Sequence, residues 1–317
     1  MKVLGIVAGR HNGNSEILVK EALSACQEKG AECTLINLFD YNIKPCTGCE
    51  SCTMMMGEMA QGKRDNYPGC VLRDKDDMQK IMDVFQQQNA IIVGVPVYDL
   101  TPSGLYTVFA QRFLAYELAF LLKIGVVKED PHCVAGLISV GGSCHDWMGF
   151  GLESMAATMF TQSIQVVDQM RATRNGRPGN VLLKADQLAR AHKMGENIIK
   201  SIQTEPEKRG WLGDEDWGLC PNCHGGLVFP GEVHWDGVQW PFECAVCGAG
   251  GDLVRDEATG KVKFVLAPDG LSRDRNKNEC RDLHLDEIVE TRIDFFKRQE
   301  EVQKLYPKYK EMKFKTI

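Results

Sequence analysis

No stretch of this sequence is both apolar and long enough to cross a bilayer. The best candidate, "FLAYELAFLLKIGVV", is interrupted by Glu117 and Lys123. A secretory leader is not visible either, because "KVLGIVAG" is too short for an h-region and runs straight into "RHNGNS". A basic excess is also missing. With 37 Lys and Arg against 43 Asp and Glu, the net charge is -6, which argues against non-specific nucleic-acid binding. The first glycine-bearing loop lacks G-x-G-x-x-G, so no dinucleotide fingerprint is present to choose between NADH and NADPH. These absences leave the expectation of a cytoplasmic protein without membrane or nucleic-acid partners.

Cysteine, by contrast, is plentiful, with 13 in 317 residues. In a reducing compartment, clustered cysteines more often bind metal or do redox chemistry than form structural disulfides. One group lies in "KPCTGCESCTMMMGEMAQGKRDNYPGCVLRDKDDM", Lys44–Met78. Cys46, Cys49 and Cys52 have C-x2-C-x2-C spacing, and Cys70 follows after seventeen residues. Soft thiolates in that spacing suit an iron–sulfur cluster, and also zinc or reversible disulfides. A loop whose cysteines bind nothing is the plainest alternative. The insert before Cys70 can loop out, since chain closure costs little for added length.

A second group, "LCPNCHGG" and "FECAVCGAGG", places Cys220-x2-Cys223 and Cys244-x2-Cys247 twenty residues apart. Each C-x2-C turn points two thiolates at one ion. This module resembles a zinc ribbon, with rubredoxin-like iron as the alternative. It is too small for a large core, so metal would supply most of its folding energy. His224 and His234 read as bystanders. Trp211, Trp217, Trp235 and Trp240 would supply apolar surface for docking, including over a neighbouring subunit's active site.

Residues 2–200 alternate between strand and helix patterns. Strands are expected at 2–9, 31–38, 90–97, 133–140 and 163–172. Helices are expected at 15–29, 76–88, 103–122, 151–161 and 185–202. Five strands alternating with helices indicate an α/β fold with a doubly wound parallel sheet, whose ligands bind beyond the C-terminal strand ends. The expected division is residues 1–203 as this domain, 204–216 as a charged linker, 217–270 as the ribbon-like module and 271–317 as a helical tail. The tail reads as one amphipathic helix, broken near Pro307, with a solvated lysine face.

Three loops fall at the ligand edge. Arg10, Asn12, Gly13, Asn14 and Ser15 lie where the first strand turns into a helix, which makes either a phosphate cradle or an ordinary capped turn. Pro96 and Tyr98 end the third strand, and Gly141 and Gly142 end the fourth. Together "GIVAGRHNGNS", "VGVPVYDLTPSG" and "SVGGS" resemble the FMN-binding loops of flavodoxin-like NAD(P)H-dependent FMN reductases. "PCTGCESC…GCVLRDKDDM" resembles the cysteine block of the iron–sulfur flavoproteins in that group, although its last gap is longer than theirs.

The resemblance covers about residues 1–200. It implies an FMN phosphate on Arg10, Asn12, Asn14 and Ser15. The isoalloxazine would rest on Pro96, Val97 and Tyr98 on one side and Gly141, Gly142 and Ser143 on another. Cys46, Cys49, Cys52 and Cys70 would hold a 4Fe–4S cluster near the flavin, in a homodimer or homotetramer. The function expected is a flavin-dependent oxidoreductase. It would take electrons from NAD(P)H or a ferredoxin-like donor and pass them to a small organic acceptor. Tyr98, Cys144 and His145 are the catalytic candidates. An electron carrier without its own substrate and a redox sensor are the rivals.

Overall fold

The computed structural model describes residues 1–214 and 218–315. Its first half is built on apolar runs that become strands covered on both faces. In chain order they are β1 (Lys2–Val7), β2 (Glu32–Asn37), β3 (Ala90–Tyr98), the two-residue β4 (Thr101–Pro102), β5 (Val134–Val140) and β6 (Gln165–Ala172). β2, β1, β3, β5 and β6 form one parallel sheet in that order, and β4 folds back antiparallel on β3.

Helices cover both faces. α1 (Asn14–Glu28) and, at the far end of the domain, Ala185–Ile202 pack Leu18, Val19, Met194 and Ile198 on one side. In chain order the remaining helices of this half are α2 (Ser51–Ala60), α3 (Met78–Phe85), α4 (Gly104–Gln111), α5 (Leu118–Lys123) and α6 (Gly151–Phe160), so that Ala185–Ile202 is α7. Ile81, Phe85, Phe109 and Met155 from α3, α4 and α6 fill the other side. The strand order reverses between β1 and β3, which opens a crevice at their C-terminal ends.

Three expected elements differ. The segment 103–122 is not one helix but α4, a 3-10 turn at Phe113–Tyr116 and α5, bent by 42°. Arg112 and Glu117 sit at its two breaks and are both buried, so the bend tracks their polar groups. The cysteine insert does not simply loop out, because Ser51–Ala60 forms α2. The tail breaks at Arg298, between α8 (Asn278–Lys297) and α9 (Gln299–Lys310), and α9 carries Pro307 inside it. No single helix among the described residues is long and apolar enough to cross a membrane.

The charged stretch after α7 does more than connect. Leu212 N–H donates to the Val167 carbonyl at 2.8 Å, and Asn197 Nδ2 donates to the Leu212 carbonyl at 2.8 Å. The stretch therefore covers the edge of β6, an edge that would otherwise be open to pairing.

β7 (Val228–Pro230), β8 (Phe242–Cys244), β9 (Gly250–Arg255) and β10 (Val262–Leu266) form the small antiparallel ribbon. Its Val246, Ala249 and Phe264 join the same core as α3, α4 and α6, so its packing extends beyond its own few residues. Trp240 is buried, with Nε1 donating to Asp269 at 3.0 Å, and Trp211 stacks on His224 at 4.3 Å. Both are spent inside this chain, whereas Trp235 is exposed and Trp217 lies outside the described residues. α8 lays Leu285 and Ile288 on Phe120 and Met56.

Candidate functional site

A cleft opens at the crevice between β1 and β3. Gly9, Arg10, Asn14 and Ser15 line it from the β1–α1 turn, and Pro96, Val97 and Tyr98 from the end of β3. Gly142 adds the loop after β5, and Asn175, Gly176, Arg177 and Pro178 the loop after β6. That last loop was missed in the sequence, although "RNGRPG" after the fifth strand is a loop signal of the same kind as the other three. Asn12, Gly141, Ser143, Cys144 and His145 do not line the cleft. Cys144 and His145 are exposed at the 3-10 turn His145–Met148.

Each loop is fixed by specific bonds. Ser103 Oγ donates to the Ala8 carbonyl at 2.7 Å, and Ser103 N–H to the Pro96 carbonyl at 3.0 Å, joining the β1 and β3 loops. Asn175 N–H donates to the Gly141 carbonyl at 2.8 Å, and Arg174 N–H to the Ser143 carbonyl at 2.9 Å. At this seam a Cβ on Gly142 would lie 3.2 Å from Gly176 Cα, so the two loops meet glycine to glycine.

The turn into α1 is held by Glu16, which is buried. Its carboxylate accepts from Lys20 Nζ at 2.5 Å and from Asn37 Nδ2 at 3.0 Å. Burial alone would push this carboxyl up, but the Lys20 and Asn37 bonds outweigh it and hold the group below the usual carboxylate range. The Asn14 side chain is spent structurally. Its Nδ2 donates to the carbonyls of Asn175 and Arg177, and its Oδ1 accepts from Val181 N–H. It braces the cleft and has no amide group left over for a phosphate. What remains at this end are the first N–H groups of α1, which have no intrahelical partner, and the Ser15 hydroxyl. Arg10 and Arg177 stand beside them, and no carboxylate is among the described residues lining the cleft.

The first cysteine group is gathered as well. Cys46, Cys49, Cys52 and Cys70 line one small cavity with Val71, Leu72, Leu114 and Ala115. Cys46 and Cys49 are exposed and the other two half-buried. The Ser51 side chain and N–H hold the Cys49 thiol below its ordinary range, while burial pushes Cys52 up to about 11. The cavity shares no residue with the cleft. α4 starts beside Ser103 of the cleft loops and ends beside Arg112 at the cavity, and a helix of 8 residues spans about 12 Å.

The second group is tighter. Cys220 and Cys247 Sγ are 3.7 Å apart, Cys223 and Cys244 Sγ 3.6 Å. All four thiols are buried and lie within 4.8 Å of one another. A tetrahedral ion bound at about 2.3 Å sets its sulfurs roughly 3.8 Å apart. The thiols of Cys220, Cys223 and Cys247 bond toward Cys244 and draw it well below the usual thiol range. His224 and His234 are outside this set, with His224 against Trp211 and His234 on Glu243 at 3.0 Å.

Comparison with known proteins is consistent with this arrangement. Residues 1–144 match the family model for NADPH-dependent FMN reductase. A flavone synthase, cfoJ, of Aspergillus candidus is 30% identical over 289 residues, 86% of this chain and 84% of its own length.

The chain belongs to the FMN reductase family.

An iron-sulfur flavoprotein of Methanocaldococcus jannaschii is 33% identical over 144 residues, 45% of this chain and 63% of its own length. A solved structure titled flavone reductase superposes with a TM-score of 0.76 at 23% identity. It covers 100% of this chain and 99% of its own, so the shared fold includes the ribbon and the tail. The sheet of this chain is thus flavodoxin-like. Its cleft suits the family's cofactor, because Arg10, Arg177 and the start of α1 line it together with Pro96 and Tyr98.

Proposed function

We propose that this chain reduces a small, flat, conjugated organic molecule, with NAD(P)H as the electron donor. A ferredoxin-like donor is the alternative source. The observation that carries the reading is the convergence of four strand-end loops on one cleft, lined by two arginines and a helix start as well as by Pro96 and Tyr98. Arg10, Arg177, Ser15 and the N–H groups at the start of α1 would hold the FMN phosphate. Pro96, Val97, Tyr98 and Gly142 would border the ring. Bound there, FMN supplies hydride and single-electron transfer. Tyr98 is 51% exposed at the rim, which leaves its ring and hydroxyl available to orient an acceptor. Cys144 and His145 stay secondary candidates on the adjoining loop, and Gly141 and Ser143 act through the seam with the β6 loop.

Two relatives bear names that refer to flavones, so an aryl enone of that kind is the first acceptor class to test. Four thiols around one apolar cavity suit a 4Fe–4S cluster, and their greater spread than the ribbon set fits a group larger than one ion. Cys220, Cys223, Cys244 and Cys247 suit one structural zinc. A carrier without its own substrate is favoured by one feature, the exposure of Cys46 and Cys49 to an approaching protein. Steady-state turnover with NADH and NADPH against flavones, other enoates, quinones and nitro compounds separates the readings. Turnover of an organic acceptor supports the enzyme. Reduction of a protein partner with no turnover of any small acceptor supports the carrier.

A further inference from the structure

The sequence leaves the seventeen-residue gap before Cys70 unexplained. In the fold the gap is closed by a buried charge that also touches the cysteine site. Arg112 ends α4 and is 2% exposed. Its NH1 donates to the Lys44 carbonyl at 2.8 Å and to the Asp76 carboxylate. Its NH2 donates to Cys70 Sγ at 3.3 Å. Asp76 in turn accepts from Lys44 N–H at 3.0 Å and from Met78 N–H at 3.1 Å. Lys44 lies two residues before Cys46, so one ion pair ties the entry of the cysteine loop to its last thiol.

The guanidinium is more than the loop closure requires. A backbone carbonyl and a carboxylate could both be satisfied by a neutral donor. Burying a permanent cation against a thiol sulfur carries a desolvation cost that only a nearby negative charge offsets. Asp76 supplies one such charge, and Arg112 directs a second nitrogen at Cys70 instead of at the second carboxylate oxygen. Its Nε has no hydrogen-bond partner among the described residues. A sulfur that carries negative charge is the partner this geometry is suited to.

We infer that Arg112 is a positioning residue that raises the reduction potential of a redox centre held by Cys46, Cys49, Cys52 and Cys70. The inference rests on the proposed iron–sulfur reading of those four thiols. Potentials of such centres follow net charge and hydrogen bonds to the ligand sulfurs. A buried cation at a ligand sulfur favours the more negative, reduced form, and the Asp76 carboxylate opposes it. The two members of one ion pair therefore act on the potential with opposite signs, which a purely structural clamp does not do.

The test is a dye-mediated anaerobic redox titration of the whole FMN-loaded chain, with iron and sulfide measured on each sample. The variants are Arg112→Gln, Arg112→Lys and Asp76→Asn. Arg112→Gln is expected to lower the potential and Asp76→Asn to raise it, with iron and sulfide retained. Arg112→Lys keeps the charge and should lie between wild type and Arg112→Gln. If Arg112→Gln fails to hold iron, the opposite displacement of Arg112→Lys and Asp76→Asn from wild type is the deciding pair. Iron present with unchanged potentials, or with both displaced in the same direction, overturns the role of Arg112. Wild-type protein without iron or sulfide overturns the cluster reading itself, and the inference with it.

Discussion

Asn14, the first residue of α1, donates to the Arg177 carbonyl at 2.8 Å and so holds the loop after β6 against the loop after β1. Two further bonds, to Asn175 and from Val181, leave its amide fully used. Asn14→Asp keeps the acceptor for Val181 N–H but turns a negative oxygen toward two carbonyls. Losing such buried bonds costs about 1–3 kcal/mol each. FMN affinity should fall roughly tenfold or more, measured by flavin fluorescence quenching on apoprotein. Unchanged affinity would mean the β6 loop is not part of the cofactor site.

The ribbon should contain one zinc per chain by metal analysis. Cys223→Ser should lose it and unfold the ribbon while FMN stays bound, because none of the described ribbon residues lines the cleft. Metal supplies on the order of 10 kcal/mol to such a module. The ribbon also shares the core beside α6, so the main thermal transition should drop too. A variant that folds normally and loses only electron transfer would identify redox-active iron there instead.

Much of this could be read from the chain and some could not. The five central strands and α7 at 185–202 follow from uninterrupted apolar runs and helical spacing, and the structure has them within two residues. Helix α2 was not legible, because "SCTMMMGEMA" is short, sits between cysteines and makes its contacts with α5 and the distant α8. Arg112 could not be picked out for a related reason. In sequence it is one charge in a helical pattern, and only the fold shows it buried with Asp76 and Cys70. The resemblance implies Asn14 at the FMN phosphate, and the fold adds side-chain bonds from Asn14 to partners more than 160 residues away.

Glu117 is buried between α4 and α5, near Arg281 and Asp282, and burial pushes its carboxyl up to about 8. In the unfolded chain it titrates near 4.5. Between those values the folded form binds the extra proton, so stability falls as pH rises across that window. Glu117→Gln cannot ionise. Its melting temperature should match wild type near pH 4.5 and exceed it by several degrees at pH 8, read by scanning calorimetry. Equal pH profiles for the two proteins would contradict the assignment.

Cys49→Ala should abolish bound iron in anaerobically prepared protein and spare FMN. Cys49 lines the cysteine cavity, and that cavity has no residue in common with the cleft. Loss of flavin together with iron would show that the two sites fold as one.

The four-loop cleft is proposed to be a mononucleotide flavin site. The direct measurement is release of the bound flavin by heat from purified, flavin-reconstituted protein, followed by chromatography against FMN and FAD standards. One FMN per chain is the predicted result, because the cleft has a single helix N-terminus flanked by Arg10 and Arg177 for one phosphate. Recovery of FAD, or of no flavin after reconstitution, would contradict the account.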